Sequence, residues 1–173
     1  STTQMAAAST AQVAAMTETQ VSALSATQIT NLSAAQVRAM GDDNFAALDG
    51  AQMEALTASQ IAGLTTTQSS NLSTTDFGEL TATHIAALTT AQVRALSEDN
   101  VAAMAETQIA AMTAGQVAAL STTNIAALAE TQATSLTTTQ LAALSTSQLR
   151  ALSETNLVAL DATQIGALTT AQA

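Results

Sequence analysis

The sequence predicts an all-α fold, a solenoid of very short helices with one helix for each eight-residue repeat. Three observations predict it: an unbroken apolar period, a helix-capping pattern in each repeat, and the sorting of charges within the repeat. From Leu24 to Leu168 every eighth residue is Leu or Met. A period of this regularity is interpreted before local propensity, because it sets the whole architecture.

The octads begin at Ser1 and run without insertion or deletion through twenty-one complete copies and five further residues. A representative octad is Thr89–Leu96. Position one is Ser, Thr, Asp or Gly, position four is Gln or Asn, position five is apolar, and position seven is usually Ala. The exceptions at the first three of these positions are Ala105 and Ala129 at position one, Asp76 and His84 at position four, and Ser69 at position five.

The residues of each octad match the start of an α-helix in order. A hydroxyl residue followed three residues later by Gln is a capping box, in which the hydroxyl accepts from the third helical amide and Gln reaches back to the cap amide. The Leu before the cap and the apolar residue at position five are placed to form a hydrophobic staple. Because the chain has no Pro and few Gly, we expect the Ser and Thr caps to make the bends.

The charges are sorted as short helices require. Eleven of the thirteen acidic residues lie in positions one to four, and all three arginines, Arg38, Arg94 and Arg150, lie at position six. Acids at the start and bases near the end of a helix suit its macrodipole. Only Glu54 and Glu79 depart from this order.

Two alternative folds remain. In a continuous helix, position eight would rotate by about 80° at each repeat, given roughly 100° per residue, and would fit neither a heptad nor an eleven-residue seam. A parallel β-helix suits Thr-rich coils. However, positions five and eight would then point to opposite faces of a strand, and Ala is poor in strands.

The octad also predicts how the helices pack. Positions five and eight should form the core, the small position seven should let helices approach closely, and positions two, three and six should face solvent. Octads 25–32 and 65–80, which have Asn31, Asn71 and Glu79 at position seven, are expected to pack more loosely. Helices this short are unstable alone, so we expect residues 1–173 to form one cooperative array, part of a longer one.

Longer spacings are also present. The three arginines are 56 residues apart, and Glu106, Glu130 and Glu154 recur at 24. Duplication of a seven-octad unit or stacking between turns would explain the first spacing. The second would allow three octads per turn, although it would then stack like charges.

Composition narrows the function classes. A net charge of −10 without lysine disfavours nucleic acid and anionic membrane surfaces. The absence of cysteine excludes disulfide frameworks and thiolate metal sites. No apolar run approaches the length that spans a bilayer, and no signal peptide is visible. We expect a segment of a longer array, or a subunit whose ends meet other copies.

No residue combination predicts catalysis, so we expect no enzyme, no cofactor and no metal ligand. His84, the only histidine, occupies the Gln position and is expected to cap its helix. Asp42, Asp43, Asn44 and Asp49 could attract a cation but lack the calcium-loop spacing, so we expect solvated helix N-termini there. No Ser or Thr has a plausible His and acid partner.

Threonine rows are the one candidate binding surface. The segments 65–67, 89–90 and 137–139 could present a regular face of hydroxyl and methyl groups to ice, carbohydrate or mineral. Because positions two and three also tolerate other small residues, we expect that these rows reflect tolerance and solubility, and the binding surface is the alternative.

The octads at Leu136–Ala143 and Leu88–Ala95 resemble the Leu-Thr/Ser-x-x-Gln-Ile/Val-x-Ala repeats of large secreted or surface proteobacterial proteins, labelled adhesin, haemagglutinin-like or haem-utilisation proteins. The resemblance implies an extracellular or cell-surface location and a stalk or matrix role, but no haem ligand, since His84 does not recur. Our first hypothesis is a semi-rigid spacer, stalk or self-associating filament element whose partners are neighbouring repeats or other copies, end to end. The alternative is the threonine surface.

Overall fold

The computed structural model describes residues 1–172. Each complete octad forms one α-helix of five or six residues, and no strand occurs in this range. The all-α solenoid is therefore confirmed, and the continuous helix and the β-helix are wrong. The helices are α1 Thr2–Ala6, α2 Thr10–Ala14, α3 Glu18–Ser22, α4 Ala26–Thr30, α5 Ala34–Ala39, α6 Asp42–Ala46, α7 Gly50–Glu54, α8 Ala58–Gly63, α9 Thr66–Ser70, α10 Thr74–Gly78, α11 Ala82–Ala87, α12 Thr90–Arg94, α13 Glu98–Ala102, α14 Glu106–Ala111, α15 Ala114–Ala119, α16 Thr122–Ala126, α17 Glu130–Thr134, α18 Thr138–Ala143, α19 Thr146–Ala151, α20 Glu154–Ala159 and α21 Ala162–Gly166.

Most of the helices begin at capping boxes, as expected, whereas α6 has no side-chain cap bond. Before α12, Thr89 is extended with φ −73° and ψ 156°. Its Oγ1 accepts from the backbone N–H of Gln92 at 3.2 Å, and its own N–H donates to Gln92 Oε1 at 2.6 Å. Two of the amides that a helix start leaves unpaired are thereby satisfied.

Each helix ends with a tightened final turn. After α8, the N–H of Leu64 donates to the Ile61 carbonyl at 3.2 Å, three residues back. Such a bond closes a 3₁₀ turn at a helix end. Leu64 itself is extended, with φ −62° and ψ 152°, so the chain leaves the helix and reaches the next cap at once.

The hydroxyl is not what bends the chain, and the expectation that Ser and Thr caps make the bends is corrected. Ala105 and Ala129 have the same extended backbone as the hydroxyl caps, with φ near −69° and ψ of 155° and 161°. Gly41 makes its bend at φ +82° without any side-chain cap bond, in a region that favours glycine. The bend therefore follows from the packing of the octads, and the hydroxyl stabilises it.

The core contains the expected residues and one unexpected set. Positions five and eight are buried in the interior octads, Ile61 at 0% and Leu64 at 5% exposure, for example. Position four is buried as well, whereas position three is exposed throughout and position six almost throughout. Close approach at position seven is seen at Gly63, where an added Cβ would lie 2.7 Å from Ala34 Cβ.

The chain forms two compact units, Ser1–Leu88 and Thr89–Ala173. Within the first, α5 packs against α2 and α8, three helices away on either side. Within the second, α15 packs against α12 and α18 in the same way. Each unit is thus a solenoid in which helices three apart are neighbours.

The octads expected to pack loosely do not do so. Ser69 is fully buried and its hydroxyl donates to the Thr65 carbonyl at 3.0 Å. Phe77 is fully buried, and Leu32 and Leu72 are each 4% exposed. The unusual residue Glu79 lies against Gly50, where an added Cβ would meet its carboxylate at 2.5 Å. The residues that depart from the octad are therefore accommodated by contacts close to them, without loss of burial in the core.

Candidate functional site

The most distinctive polar feature of the fold is a buried side-chain amide at position four. Gln60 is 1% exposed, yet its amide is fully bonded. Its Oε1 accepts from the N–H of Thr57 at 2.6 Å, which completes the local capping box. Its Nε2 donates to the carbonyls of Ile29 and Leu32, each at 2.7 Å and 31 and 28 residues earlier.

The same arrangement recurs within each unit. Gln52 donates to Val21 and Leu24 in the first unit, and Gln140 donates to Ile109 and Met112 in the second. We call these position-four side chains the amide row. The members that bond an earlier turn include Gln36, Asn44, Gln52, Gln60, Gln68 and His84 in the first unit, and Asn124, Gln132, Gln140, Gln148, Asn156, Gln164 and Gln172 in the second.

The amide row explains the preference for Gln. The last carbonyls of an α-helix have no partner within the helix. One Gln therefore closes the start of its own helix through oxygen and the end of a helix four octads earlier through nitrogen. Among the described residues no buried side-chain N or O lacks a partner, which is the normal condition of a stable interior.

These bonds also define the turn. The amide reaches a helix four octads earlier, while packed helices are three octads apart. One turn therefore contains between three and four octads, more than the three that the Glu spacing allowed. Like charges do approach: Glu130 and Glu154, in helices that pack together, line one open depression of about 440 Å³.

The shorter amides reach less far. Asn156 donates only to the position-eight carbonyl of Leu128, at 2.7 Å, and Asn44 only to that of Met16, at 2.8 Å. Asp76 has no amide hydrogen; it is half-buried and its carboxylate bonds Ser73, at 2.6 Å from the hydroxyl. Whether a position-four side chain forms the cross-turn bonds therefore depends on its length and on whether it carries an N–H donor.

His84 is a capping residue, as predicted. Its Nδ1 accepts from the N–H of Thr81 at 3.3 Å, and its Nε2 lies 2.6 Å from the Leu56 carbonyl. This pair of partners requires a neutral ring with the hydrogen on Nε2. The imidazole thus substitutes for both ends of a Gln amide, and it is 4% exposed.

Some position-six residues are exposed, as expected, and also bond the neighbouring turn. Arg38 Nε donates to the Gly63 carbonyl at 2.7 Å, and Thr30 Oγ1 to the Ala55 carbonyl at 2.8 Å. Both carbonyls lie 25 residues later, at the end of the helix that packs alongside. An arginine near a helix C-terminus also suits its dipole.

The acidic cluster does not converge on one point. Asp42 and Asp43 are exposed at the start of α6, while Asp49 caps α7 by accepting from the N–H of Gln52 at 2.8 Å. Within residues 1–172 no three His, Cys, Asp or Glu side chains are grouped to hold a metal ion.

The threonine rows are divided between two roles. Thr65, Thr89 and Thr137 are caps, and the hydroxyl of each accepts from the backbone N–H of a position-four Gln at 3.0 to 3.3 Å. The following threonines at position three, Thr67 and Thr139, are exposed. Within these rows, the cap hydroxyls are engaged at the helix starts, and the threonines of positions two and three are left for an external surface.

Sequence reasoning missed the cross-turn role of position four. A signal was present, because eleven acids lie in positions one to four but only Asp76 occupies position four, and no Glu does. Glu serves a capping box as well as Gln, so its absence indicated that the amide hydrogens have an acceptor of their own.

Comparison with known proteins indicates a repeat protein. A family model described as the ALTTAQ repeat matches residues 70–106 and 141–173, together less than half of the chain. No curated protein and no solved structure gives a significant match. Among the described residues, no helix has the length and hydropathy needed to cross a bilayer. Over these two segments, the octads are similar to the ALTTAQ repeat.

Proposed function

We propose that the chain is a structural repeat segment, a semi-rigid spacer or stalk of a bacterial surface or secreted protein. The observation that supports this role is the amide row. Within each unit, most interior helices are bonded to a helix four octads earlier, as Gln60 is to Leu32 and Gln140 to Met112. The same contact can be repeated to any length, which is what a spacer requires.

The chemistry of the interior supports the same role. A five-residue helix has little stability alone because helix nucleation is costly. Here both ends of a helix such as α4 are tied, the start by its own capping box and the end by the buried amide of Gln60 from a later turn. Bending a unit would break buried hydrogen bonds, each contributing about 1 kcal/mol, so each unit should resist bending.

The expected location at the cell surface or outside the cell is supported by the resemblance of the octads to repeats of secreted and surface proteins. It can be tested with antibody raised against the chain in its source bacterium. We expect intact cells to bind the antibody and to lose the epitope on brief protease treatment. Epitope that appears only after permeabilisation would contradict an external location.

The spacer role is tested by changing length in and out of phase. Deletion of residues 89–144 removes seven whole octads, and deletion of residues 89–140 removes nearly as many residues but shifts the period. We expect the first variant to keep its helicity per residue and to show a shorter maximum dimension in small-angle scattering. The second, the matched control, should lose helicity and cooperative unfolding. An in-phase variant that unfolds, or keeps the parental dimension, would rule out the role.

A further inference from the structure

Two helices occupy equivalent places in the 56-residue spacing of the chain. The α6 octad reads Gly-Asp-Asp-Asn-Phe-Ala-Ala-Leu from Gly41, and the α13 octad reads Ser-Glu-Asp-Asn-Val-Ala-Ala-Met from Ser97. Both have an acidic pair at positions two and three and Asn at position four. The two helices differ in the hydrogen bonds made at their starts and at their ends.

The start of α6 has no side-chain bond. Its cap residue is Gly41, at φ +82°, and neither half of a capping box is present. In α13, the hydroxyl of Ser97 accepts from the N–H of Asn100 at 3.1 Å. Even the alanine caps of α14 and α17 donate their N–H to a position-four Gln, at 2.8 and 2.9 Å. The first amides of α6 are thus less well satisfied than those of the helices it resembles.

The end of α6 lacks the buried amide as well. The residue 28 positions after Leu48 is Asp76, which has no amide hydrogen and whose carboxylate bonds only Ser73 among the described residues. At the end of α13 the residue at the same spacing is Gln132, which donates to three carbonyls at 2.7 to 3.1 Å. The carbonyls at the end of α6 therefore have no equivalent partner.

The junction that precedes α6 is also loosened. Met40 stays helical, with φ −58° and ψ −26°, whereas Leu64 at the same octad position is extended. The Nε2 of Gln68 lies 3.3 to 3.5 Å from three carbonyls around this junction. The corresponding amide of Gln60 lies 2.7 Å from both of its acceptors. The bonds of Gln68 are therefore long and weak.

Three contacts still hold α6 in place. Phe45 is 1% exposed, Asn44 donates to an earlier turn at 2.8 Å, and the Ser22 hydroxyl donates to the end of the helix at 3.3 Å. Because Phe45 is larger than Val101 of α13, its burial offsets part of the missing bonding. Gly41 acts in the opposite direction, since glycine gains more conformational freedom than serine when a segment opens.

From these differences we propose that α6 is a point of local opening. Residues 41–48 leave the fold while the neighbouring helices of the first unit stay folded. Native proteins open in such local units, at free energies below that of global unfolding. Opening presents the acidic pair Asp42–Asp43 to an endoprotease that cleaves beside acidic residues. The inference goes beyond the spacer role, because it gives the first unit one place where it yields and can be cut.

Hydrogen exchange of the intact chain compares equivalent amides of the two helices. The N–H groups of Phe45 and Leu48 make the same backbone bonds as those of Val101 and Met104, at 3.2 to 3.3 Å in each helix. After correction for intrinsic rates, we expect exchange about 10-fold faster in α6, because fewer bonds must break before it opens. Exchange in α6 that is equal to or slower than that in α13 would overturn the inference.

The cause of the opening is tested with Asp76→Gln. Gln keeps the capping box with Ser73, and its amide is placed to donate to the Leu48 carbonyl. We expect exchange in α6, 28 residues earlier, to slow about 10-fold, while exchange in α13 stays unchanged. Asp76→Asn removes the same charge but, like Asn156, should reach one carbonyl only, so it should slow exchange less. An Asp76→Gln variant with unchanged exchange in α6 would contradict the proposal.

Limited proteolysis with endoproteinase Asp-N, which cleaves before Asp, is the second measurement. Asp42, Asp43 and Asp99 are all exposed in the folded chain, so exposure alone predicts equal cutting. Relative to the urea-unfolded chain, we expect cutting in α6 about 10-fold faster than at Asp99, and slower in Asp76→Gln. Equal relative rates would refute local opening. The in-phase deletion of residues 89–144 leaves α6 in place, so failure here and failure of the spacer role are distinguishable.

Discussion

Gln20 and Gln60 have the same local sequence context and different long-range bonds. Both follow a Thr by three residues, and both accept from its N–H, at 2.9 Å and 2.6 Å. Gln20 is exposed and its side chain makes no other bond among the described residues, whereas Gln60 is buried and its side chain donates to two carbonyls of an earlier turn. The oxygen of the amide thus specifies the helix start, and its nitrogen specifies the stacking of turns.

The position-four side chain therefore makes two separate contributions to stability, one to its own helix and one to the stacking of turns. The capping box forms wherever a helix starts, with or without a neighbouring turn. The cross-turn bond forms only where a helix four octads earlier is present. It therefore contributes to stability only when turns of the solenoid stack on one another. Substitutions that remove one bond and keep the other should therefore behave differently in the two regions.

The largest effect is expected for Gln→Glu. At neutral pH, Gln60→Glu places a buried carboxylate against two carbonyls and should lower the free energy of unfolding by about 3–5 kcal/mol. Gln20→Glu keeps its cap and stays in water, so it should change stability by less than about 0.5 kcal/mol. Urea unfolding followed by circular dichroism measures both, and equal losses would show that position four acts only as a cap.

Lowering the pH provides a second test of the comparison between Gln60→Glu and the parent. Burial raises the pKa of the carboxyl introduced at residue 60 above the usual value of about 4.3. Because the folded state then binds a proton more tightly than the unfolded state, the variant gains stability relative to the parent as pH falls toward that usual value. The deficit of Gln60→Glu should be largest at pH 7 and should narrow near pH 4. A deficit independent of pH would indicate a packing defect instead.

A smaller loss of stability, equal in the two regions, is expected when a hydroxyl cap is removed. Thr17→Ala and Thr57→Ala each remove one hydroxyl acceptor from the N–H of Gln20 or Gln60. Each should weaken its own helix by about 1 kcal/mol, because this bond is local in both regions. Hydrogen exchange of the two Gln backbone amides measures the local cost, and a much larger cost at Thr57 would mean that the hydroxyl also supports stacking.

The smallest effect is expected at His84. Gln at this position restores the common octad and can bond both Thr81 and the Leu56 carbonyl, so His84→Gln should shift stability by less than about 0.5 kcal/mol. His84→Phe keeps the ring but removes both bonds, and should cost about 1–3 kcal/mol through the unsatisfied backbone groups. Urea unfolding midpoints compare the three proteins. A loss in His84→Gln similar to that in His84→Phe would mean that the imidazole does more than substitute for an amide.

The local part of the fold was predictable because it is encoded within eight residues. The cap at Thr89, the burial of Val93 and Leu96, and the capping role of His84 all follow from neighbours in sequence. The number of octads in a turn was not predictable, since it depends on how Gly63 meets Ala34 and how Gln60 reaches Leu32. Those contacts join residues about 28 apart, and no pattern inside one octad specifies them.

Two expectations went wrong for related reasons. Looser packing was expected around Ser69 and Glu79 because each breaks the octad, but a bond from Ser69 to its own helix and the space beside Gly50 absorb them. The hydroxyl was expected to cause each bend, yet Ala105 bends alike. In both cases the neighbouring octads impose the conformation, and the local residue adjusts to it.

The fixed separation of the cross-turn pairs has a genetic consequence. Recombination that adds or removes whole octads would leave each remaining Gln four octads after the carbonyls that accept its bond. An in-frame exchange that is not a multiple of eight residues would place a different octad position where the amide belongs and would expose apolar residues. The fold therefore tolerates a change of length by whole octads, because the cross-turn pairing stays the same.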